Sequence, residues 1–425
     1  MTPALELRGR RILLGVTGSI AAYKACEIAR LFVKAGAEVR VVLSPSAERF
    51  VSALTFEALT RQPVLTVQSE SWSTELNHID LAKWAEVYLL APATANTLNK
   101  LAKGIADTLP LQTALAYAGP LVVAPAANTQ MLANHYTEGS IKMLRVNDIT
   151  VVDPAKKLLA CGDEGSGALA EPLEIFYQTA RELLREPFWE DRKVVVTGGG
   201  TREAIDSVRY LSNRSSGKTA NALATALWLR GADPCLVTTA SVEGLPEQVY
   251  TIEVESAREM AEYTADCIRV AKKGKMTSPS MNRNEPISLV KKTPYLFMAA
   301  AVSDYAPRYP QEGKLKKADL GEHWSLELVR TPDILASLDK SGIVTVAFKA
   351  ETDPETGPDN ARRALEEKGV DAVCYNLVGP DKAFGTEENE LLFITSEEEV
   401  RLELAPKERL AFALLDEAKK LDDDA

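Results

Sequence analysis

Three polar residues in the first half of the chain have side chains that could hold or exchange a proton. His78 lies in Leu-Asn-His-Ile-Asp-Leu-Ala-Lys, at the start of an expected helix, and Asn128 follows an apolar run directly. Cys161 lies in the glycine-rich run Ala-Cys-Gly-Asp-Glu-Gly-Ser-Gly. A thiol on such a loop can donate a proton. A lone histidine is more often structural, so the role of His78 depends on its partners.

Two glycine-bearing turns stand between an apolar strand and a helix. The first is in Arg11–Lys24, which contains Gly18, and the second runs from Lys193 through Gly200 to Lys218. Each turn offers backbone N–H groups and the positive end of a helix to an anion. Two such turns predict two phosphate-binding domains and two reactions.

The first turn does not fit a dinucleotide motif. Thr17 stands where the second glycine of that motif belongs, and the second strand ends at Ser44 rather than at an acid. Gly18 and Ser19 with Ser44 suit a phosphate and a ribityl chain. The small residues of Pro92–Thr97 let a flat ring approach the backbone, which favours an FMN-like pocket. A doubly wound fold without a ligand is the alternative.

The second turn resembles a P-loop but departs from it. Ser216-Gly-Lys-Thr219 matches the end of that motif, whereas Ser212 stands where a glycine is required. Asn213 and nearby N–H groups better suit an acyl phosphate at the start of helix Lys218–Arg230. Asp304 ends an apolar strand and should face a cleft. Lysine runs are usually solvated, but Lys314-Leu-Lys-Lys317 follows Asp304 and suits a triphosphate.

Apolar strands alternate with helices along the chain, which predicts an α/β fold with two doubly wound, mostly parallel sheets. Helix Ile20–Ala35 is the clearest, and Gly36 follows it. The expected strands are Ile12–Val16, Glu38–Leu43, Val87–Ala91, Leu121–Ala124, Thr150–Asp153, Val194–Thr197, Pro234–Thr238, Tyr295–Ala301, Val344–Phe348 and Ala372–Tyr375.

Composition restricts the class of protein. A length of 425 residues suits two domains, and 46% hydrophobic residues can form two cores. No apolar run reaches the ~20 residues of a membrane span, and the first residues do not resemble a signal peptide. Five cysteines without a Cys-x-x-Cys pair suit a reduced cytoplasmic setting without structural zinc. The net charge of −11 argues against nucleic acid as a partner.

The expected domain boundary is the charged, proline-containing bridge Arg185–Arg192, which gives domains of residues 1–187 and 188–425. Lys272–Lys292 carries six basic residues and one acidic residue. We expect it to be a long exposed loop without secondary structure, and we assign it no function.

The motifs around the candidate functional residues resemble those of two enzyme families. The first half resembles FMN-dependent phosphopantothenoylcysteine decarboxylases in its Gly18-Ser-Ile-Ala-Ala-Tyr-Lys, His78-Ile-Asp, Asn128-x-x-Met and Ala-Cys161-Gly-Asp motifs. The second half resembles phosphopantothenate–cysteine ligase in Thr-Arg-Glu, Asp-x-Val-Arg-Tyr-Leu-Ser-Asn-x-Ser-Ser-Gly-Lys and Ala-Ala-Ala-Val-Ser-Asp304-Tyr. The match covers nearly the whole chain and implies a fused bacterial enzyme of coenzyme A biosynthesis. The flavodoxin-like half would bind FMN, and the Rossmann-like half would perform the ligation.

The resemblance assigns roles in the decarboxylase half. In that family FMN oxidises the substrate thiol to a thioaldehyde-like species, the cysteine carboxylate is lost, and the enethiol is then reduced. Cys161 would supply the proton of the reductive step, and His78 would be the base or positioning group. Asn128 and Met131 would hold the substrate, with Lys83 as a carboxylate partner. The expected cofactor-binding residues are Gly18, Ser19, Ile20, Ser44, Thr94, Ala95, Asn96, Thr97 and Ala126.

In the ligase family CTP and Mg²⁺ convert 4′-phosphopantothenate into an acyl-cytidylate, which the amine of cysteine attacks. Lys314 would contact the triphosphate and Asn213 the acyl intermediate. We assign no metal ligands. The resemblance suggests trimers of decarboxylase halves, with FMN at subunit contacts, and dimers of ligase halves. The expected ligand-binding residues are Arg209, Asp304, Lys316, Lys317, Phe348, Lys349 and Lys368.

Three departures from these families keep other functions open. Ala127 replaces a methionine, Ala168 with Leu169 replaces an arginine-led pair, and Ala364 replaces a frequent lysine, whose charge Lys349 could supply. The alternatives are an active ligase with an impaired decarboxylase half, a flavin-dependent decarboxylase of peptidyl cysteine, and a non-enzymatic binding protein.

Overall fold

The computed structural model describes residues 5–158, 164–282, 286–316, 320–379 and 385–422. Cys161 and Lys317, two of the expected functional residues, lie outside these ranges. The chain divides into two compact units. The first unit contains the residues up to Arg185 together with Thr277–Ser288, and the second contains Glu186–Met276 and the residues from Leu289 onward.

The first unit has a parallel sheet in the order β3-β2-β1-β4-β5-β6 and a separate antiparallel hairpin, β7-β8. Its strands are β1 (Arg11–Val16), β2 (Glu38–Leu43), β3 (Val64–Leu65), β4 (Val87–Ala93), β5 (Leu121–Pro125), β6 (Thr150–Val151), β7 (Ala155–Leu158) and β8 (Glu164–Ala168). Its helices are α1 (Ala22–Lys34), α2 (Ala53–Thr60), α3 (His78–Trp84), α4 (Ala95–Leu101), α5 (Leu109–Ala116), α6 (Thr129–Leu132), α7 (His135–Val146) and α8 (Pro172–Leu184).

Burial explains why these segments form central strands and covering helices. Every residue of β4 is buried, as expected for a parallel strand with helices on both faces. In α1 the buried residues Ala25, Ile28, Ala29 and Phe32 recur at helical spacing and form one apolar face. A core cluster joins Leu13 of β1 to side chains of β2, β4 and β5.

The second unit has an eight-stranded sheet in the order β13-β12-β9-β16-β19-β20-β21-β22. Its strands are β9 (Lys193–Gly198), β10 (Arg202–Ala204), β11 (Tyr210–Ser212), β12 (Asp233–Thr238), β13 (Tyr250–Glu253), β14 (Lys275–Met276), β15 (Leu289–Val290), β16 (Tyr295–Met298), β17 (Tyr305–Pro307), β18 (Leu328–Arg330), β19 (Val344–Glu351), β20 (Ala372–Leu377), β21 (Glu388–Ile394) and β22 (Glu399–Pro406). Its helices are α9 (Lys218–Leu229), α10 (Ala257–Ala271), α11 (Ile334–Ser337), α12 (Gly357–Lys368) and α13 (Lys407–Ala418), and a 3₁₀ turn follows at Lys419–Leu421.

The two main sheets share one connectivity. When the strands are counted along the chain within each main sheet, the parallel strands of both sheets have the order 3-2-1-4-5-6. In each, the order therefore reverses between the first and fourth strands, and ligands of doubly wound sheets bind in the crevice at that point. The second sheet continues past its sixth strand, where β20, β21 and β22 pair antiparallel.

The α/β fold with two doubly wound sheets is confirmed. The expected strands and the two expected helices are present with small shifts at their ends. The sequence analysis missed β3, which has two residues, and also the half-exposed strand β13 and the antiparallel pair β21-β22. These strands lie toward the sheet edges, where a continuous apolar run is not required.

The expectation of an unstructured Lys272–Lys292 loop is wrong at its ends, because β14 and β15 pair there. Between them, Thr277–Ser288 belongs to the first unit, where the N–H of Met281 donates to Val146 O at 2.7 Å. The expected domain boundary, Arg185–Arg192, also contributes buried residues to the second unit. Trp189 and Arg192 are buried there, and the Arg192 guanidinium binds Asp422 at 2.5 Å.

Candidate functional site

At the crevice of the first unit, the hydroxyl group of Thr17 joins the turn after β1 to the end of β4. Thr17 directly follows β1 and is 4% exposed. Its Oγ1 donates to Pro92 O at 2.7 Å and accepts from the N–H of Thr94 at 3.2 Å. The turn after β1 and the end of β4 are therefore held together where the strand order reverses. This is the position at which a doubly wound sheet binds its ligand.

The turn after β1 brings small residues and a helix start to this crevice. A Cβ on Gly18 would lie 2.4 Å from the Cβ of Ser46, so only glycine allows the turn to approach the chain after β2. No side chain caps the N-terminus of α1. Ser19 accepts a hydrogen bond from the N–H of Ala21, and the buried Ser44 accepts one from Ala47. The exposed side chain of Ile20 stands beside them.

The residues after β4 form a second helix start at the same crevice. Thr94 caps α4 by accepting from the N–H of Thr97 at 3.2 Å, and the two hydroxyls are 2.9 Å apart. Ala95 and Thr97 are buried, whereas Asn96 is exposed. The N–H of Ala126, which follows β5, donates to Ala93 O. Small side chains thus border the crevice, which leaves the backbone accessible to a flat ring and a phosphate.

His78 is the first residue of α3 and has a carboxylate partner. Its Nδ1 lies 2.9 Å from Oε1 of Glu70, and both side chains are about one-quarter exposed. Ser71 and Leu76 exchange two backbone hydrogen bonds, which turn the chain back and bring Glu70 to the helix start. Trp72 packs its edge against the imidazole, with ring centroids 5.7 Å apart. His78 is therefore an oriented histidine with an anionic partner.

Asn128 caps the short helix α6 and lies beside the β7-β8 hairpin. Its Oδ1 accepts from the N–H of Gln130 at 2.9 Å. The N–H of Ala127 donates to Gly167 O in β8, and Thr129 packs against Gly165. Residues 159–163, which include Cys161, connect β7 to β8. Met131 is 52% exposed. Lys83 is exposed in the last turn of α3.

At the crevice of the second unit, as in the first, hydrogen bonds hold together the chain segments that follow two neighbouring strands. The turn after β9 pairs with the chain after β16, because the N–H of Ala301 donates to Gly199 O at 2.8 Å. The hydroxyl of Thr201 accepts from the N–H of Ser303 at 2.9 Å. Both threonine and serine are buried.

A cavity of about 690 Å³ opens at this crevice. The start of α9 forms one wall, where Gly217 has a positive φ of 72° and no side chain caps the helix. Asp304, Phe348, Lys349 and Lys368, four of the expected ligand-binding residues, also line the cavity. Its charged lining contains six cations and two carboxylates: Arg214, Lys218, Arg330, Lys349, Lys368 and Lys407, with Asp304 and Asp333. In a chain of net charge −11, this cationic lining predicts a polyanionic ligand.

Two of these lysines are the first residues of helices, and both bind the chain at residues 385–387. Lys218 donates to Glu387 at 2.6 Å and to Gly385 O at 3.0 Å. Lys407 is 6% exposed and donates to Thr386 O at 2.5 Å. Burial lowers the pKa of Lys407, and the neighbouring Lys218 lowers it further. The hydrogen bond from Lys218 lowers the pKa of Glu387, and the charges of Lys218 and Lys407 lower it further.

Asn213 stands in a wall between two cavities. Residues 213–216 line the main cavity and also a second cavity of about 370 Å³, which contains Arg202. The Nδ2 of Asn213 donates to Val302 O at 2.9 Å. Lys349 and Lys368 each have an acidic neighbour, Glu351 at 3.4 Å and Asp333 at 3.5 Å. Groups bound in the two cavities would meet at Asn213.

The structure places three expected residues away from the main cavity. Arg209, Lys314 and Lys316 are not part of its lining. Arg209 instead donates to Leu315 O at 2.6 Å and pairs with Asp206 at 3.0 Å. Burial alone would raise the pKa of Asp206, but three backbone N–H groups and Arg209 lower it overall. The segment that carries Lys314 and Lys316 is thus anchored at Leu315.

Sequence reasoning missed Glu70, Arg330 and Lys407. Glu70 lies eight residues before His78, and only the turn at residues 71–76 brings it back. Arg330 ends β18, a short strand that is exposed along its length. Lys407 follows the antiparallel strand β22, far along the chain from the glycine turn that it helps to surround. No spacing rule connects these residues with the site.

Within the described ranges, no group of three or more His, Cys, Asp or Glu side chains is arranged to hold a metal ion. Among the helices that the structure describes, none is long and apolar enough to cross a membrane.

Comparison with known proteins gives a family for each half. Residues 2–184 match the flavoprotein family. Residues 189–421 match the C-terminal domain of DNA/pantothenate metabolism flavoproteins. The first half is also similar to a solved PPC decarboxylase mutant complexed with pantothenoylaminoethenethiol, with 39% identity and a TM-score of 0.37 over 40% of this chain and 95% of that one.

Two curated relatives match almost from end to end. The coenzyme A biosynthesis bifunctional protein CoaBC of Haemophilus influenzae is 36% identical over 97% of this chain and 98% of its own length. The protein of the same name from Bacillus subtilis is 36% identical over 98% of both chains. The resemblance stated from the sequence motifs is confirmed. The chain belongs to the family of CoaBC bifunctional coenzyme A biosynthesis proteins.

Proposed function

We propose that this chain catalyses two successive reactions of coenzyme A biosynthesis. The second domain, residues 188–425, ligates cysteine to 4′-phosphopantothenate at the expense of CTP. The first domain, residues 1–187, decarboxylates the resulting 4′-phosphopantothenoylcysteine to 4′-phosphopantetheine. The observation that carries the proposal is the presence of two crevices with the same strand order and different linings: small hydroxyl residues in one and six cations in the other.

The first crevice fits FMN. The close approach at Gly18, the uncapped start of α1 and the hydroxyls of Ser19 and Thr94 suit a phosphate and a ribityl chain. When bound, FMN supplies the oxidation of the substrate thiol and the later return of its electrons. Ser44, Ala95, Asn96, Thr97 and Ala126 complete the proposed cofactor site.

His78 is the proposed base of the decarboxylase site. Because Glu70 engages Nδ1, Nε2 is the ring nitrogen left to receive a proton from the substrate thiol. The carboxylate of Glu70 stabilises the imidazolium that forms. Asn128 and Met131 hold the substrate, and Lys83 faces its carboxylate. The connection between β7 and β8 carries Cys161, the proposed proton donor to the enethiol.

The two cavities of the second unit fit the activation of a carboxylate by CTP. The carboxylate of 4′-phosphopantothenate attacks the α-phosphorus of CTP, and pyrophosphate leaves with the charge of the β- and γ-phosphates. Lys368, Lys349 and Arg330 lie where they can stabilise that charge, since all three line the main cavity. Mg²⁺ would arrive with the triphosphate, beside Asp304. Lys314, Lys316 and Lys317 would reach the phosphates from the segment that Leu315 anchors.

Asn213 is proposed to act in the second half of the ligation. It lines both cavities, and its amide already donates to a carbonyl oxygen. An acyl-cytidylate that spans the wall would place its carbonyl near this side chain. Donation to the developing oxyanion would then favour attack by the amine of cysteine and departure of CMP. A cytoplasmic location follows from the use of CTP. We also propose homo-oligomers, with trimeric decarboxylase and dimeric ligase domains.

The test is incubation of the purified chain with 4′-phosphopantothenate, cysteine, CTP and Mg²⁺, with CMP and CO₂ measured separately. We expect equal amounts of CMP and CO₂ and a flavin absorbance band from the protein. CMP without CO₂ would show an impaired first domain. CO₂ from peptides that end in cysteine, without CMP, would replace the proposal with peptidyl-cysteine decarboxylation.

A further inference from the structure

Two cysteines of the second unit lie in direct contact. Cys235 is in β12 and Cys267 is in α10, which packs on the sheet. Their Sγ atoms are 3.2 Å apart, although the residues are 32 positions apart in the chain. A disulfide requires a separation of about 2.05 Å, so the gap to be closed is only slightly more than 1 Å. Small rotations about the two side chains can supply that movement.

The environment of this pair differs from that of the other described cysteines. Cys374 is buried in the core, and Cys26 lies in α1 of the first unit, where no other described cysteine contacts it. Cys235 and Cys267 are both partly exposed at the margin of the second unit's core. Each of the two residues therefore has part of its surface in contact with solvent. Neither residue lines the main cavity or the second cavity.

The hydrogen bond between the thiols prepares one of them to react. That bond lowers the pKa of Cys267 and raises the pKa of Cys235, which burial raises further. Asp266 opposes ionisation of Cys267, and Asp233 opposes that of Cys235, whereas Lys193 favours it. Cys267 is thus the attacking sulfur, because the thiolate is the nucleophilic form.

We propose that Cys235 and Cys267 form a modification site, a dithiol that a small-molecule disulfide oxidises to a reversible intramolecular disulfide. The thiolate of Cys267 attacks the reagent disulfide, forms a mixed disulfide and releases one thiol. Cys235 loses its proton, attacks Sγ of Cys267 and expels the second thiol. The two cysteines lose two electrons in total, and the reagent gains them as two thiols. A dithiol reductant reverses both steps.

The bond would fasten α10 to β12. A cross-link between residues this far apart restricts the unfolded chain, so the oxidised second unit should be more resistant to unfolding. We expect its Tm to rise by roughly 5 °C on oxidation. The oxidised protein should regain its original Tm after treatment with dithiothreitol.

The test is titration of the full-length reduced protein with oxidised glutathione, followed by alkylation and peptide mapping without reduction. We expect a cross-linked peptide pair that contains Cys235 and Cys267, and the loss of two of the five free thiols. Cys267→Ser should abolish the cross-link and the rise in Tm. The matched control, Cys26→Ser, should retain both.

Two results would overturn the proposal. One is a stable glutathione adduct on Cys267 with Cys235 still alkylated as a free thiol. The other is a cross-link between a different pair of cysteines at the same degree of oxidation. Because the peptide map of the unmodified sequence is sufficient, the test does not depend on whether Cys267→Ser folds.

Discussion

In both units a buried threonine joins the two chain segments at the crevice, but the residues that line the two crevices differ. In the first, Thr17 joins the turn after β1 to the end of β4. In the second, Thr201 joins the turn after β9 to Ser303, beyond β16. Both threonines are buried, and both lie where the strand order 3-2-1-4-5-6 reverses. The common connectivity therefore fixes where a ligand can bind in each unit.

The linings of the two crevices differ in charge. Around Thr17 the residues at the crevice are small or carry hydroxyls, such as Gly18, Ser19 and Thr94. The cavity near Thr201 has six cations in its lining. Small and hydroxyl-bearing residues beside helix N-termini suit a phosphate monoester, whereas a cationic lining suits a triphosphate. The fold gives the position of a site, and the side chains give its chemistry.

The sheet edges explain part of this difference. The first sheet ends at β6, a strand of two residues. The second continues through β21 and β22, and the helix after β22 begins with Lys407 at the cavity. Asn389, within β21, also lines that cavity. The additional antiparallel strands thus supply residues that a six-stranded sheet could not.

The largest effect is expected from His78→Asn, which should separate the two activities. Because Asn cannot take up the substrate proton, CO₂ release from 4′-phosphopantothenoylcysteine should fall about 10³-fold. CMP formation at the second unit should stay within about twofold. The control is His135→Asn, which changes an exposed histidine of the same unit. Loss of both activities together would contradict separate sites.

Arg330→Gln tests the cationic lining of the second unit. The variant removes a charge that lines the main cavity, so pyrophosphate release from CTP should fall about 10²-fold. Decarboxylation should not change. Arg258→Gln is the matched control, since Arg258 is an exposed arginine on α10 that pairs with Glu262 along the same helix. Equal pyrophosphate release from Arg330→Gln and the unaltered enzyme would remove Arg330 from the site.

Glu70→Gln tests whether the first unit depends on the anionic partner of His78. Gln can still accept from Nδ1 of His78, but it has no charge to stabilise an imidazolium. We expect the kcat of decarboxylation to fall about tenfold, with little change in KM. Glu75→Gln, an exposed change in the same turn, is the control. A change in KM alone would mean that Glu70 shapes the pocket rather than assists His78.

The smallest expected effect is on the stability of the second unit in acid, which a substitution of Asp339 tests. Hydrogen bonds from Ser341, and then Lys272, lower the pKa of Asp339 from 3.8 to about 2. Because the folded pKa is the lower one, this stabilisation is present above the unfolded value and is lost as the pH falls through the folded value.

Asp339→Asn should therefore lower stability at neutral pH, and the difference from the unaltered protein should close between about pH 4 and pH 2. Hydrogen exchange resolved by peptide is the measurement, because it reports on each unit separately. The comparison variant, Asp107→Asn, alters a carboxylate of the first unit whose pKa Lys100 lowers. A pH-independent difference for Asp339→Asn would contradict the linkage.

The glycine turns, the central strands and several site residues could be read from the sequence. Gly18 follows an uninterrupted apolar strand, Asp304 follows another, and Phe348 lies within a third. Parallel strands end at one edge of a sheet, so local patterns are enough to place these residues together. Glu70 and Lys407 could not be found in this way, because a return turn and two antiparallel strands bring them to their sites.

The sequence by itself determined the α/β class, the presence of two units and the family, since each depends on local periodicity or on motifs. Only the tertiary structure decided that Lys218 binds Glu387, that Glu70 orients His78, and that Cys235 touches Cys267. These contacts join residues on different elements. Their distances depend on how strands and helices pack, which the spacing of residues along the chain does not specify.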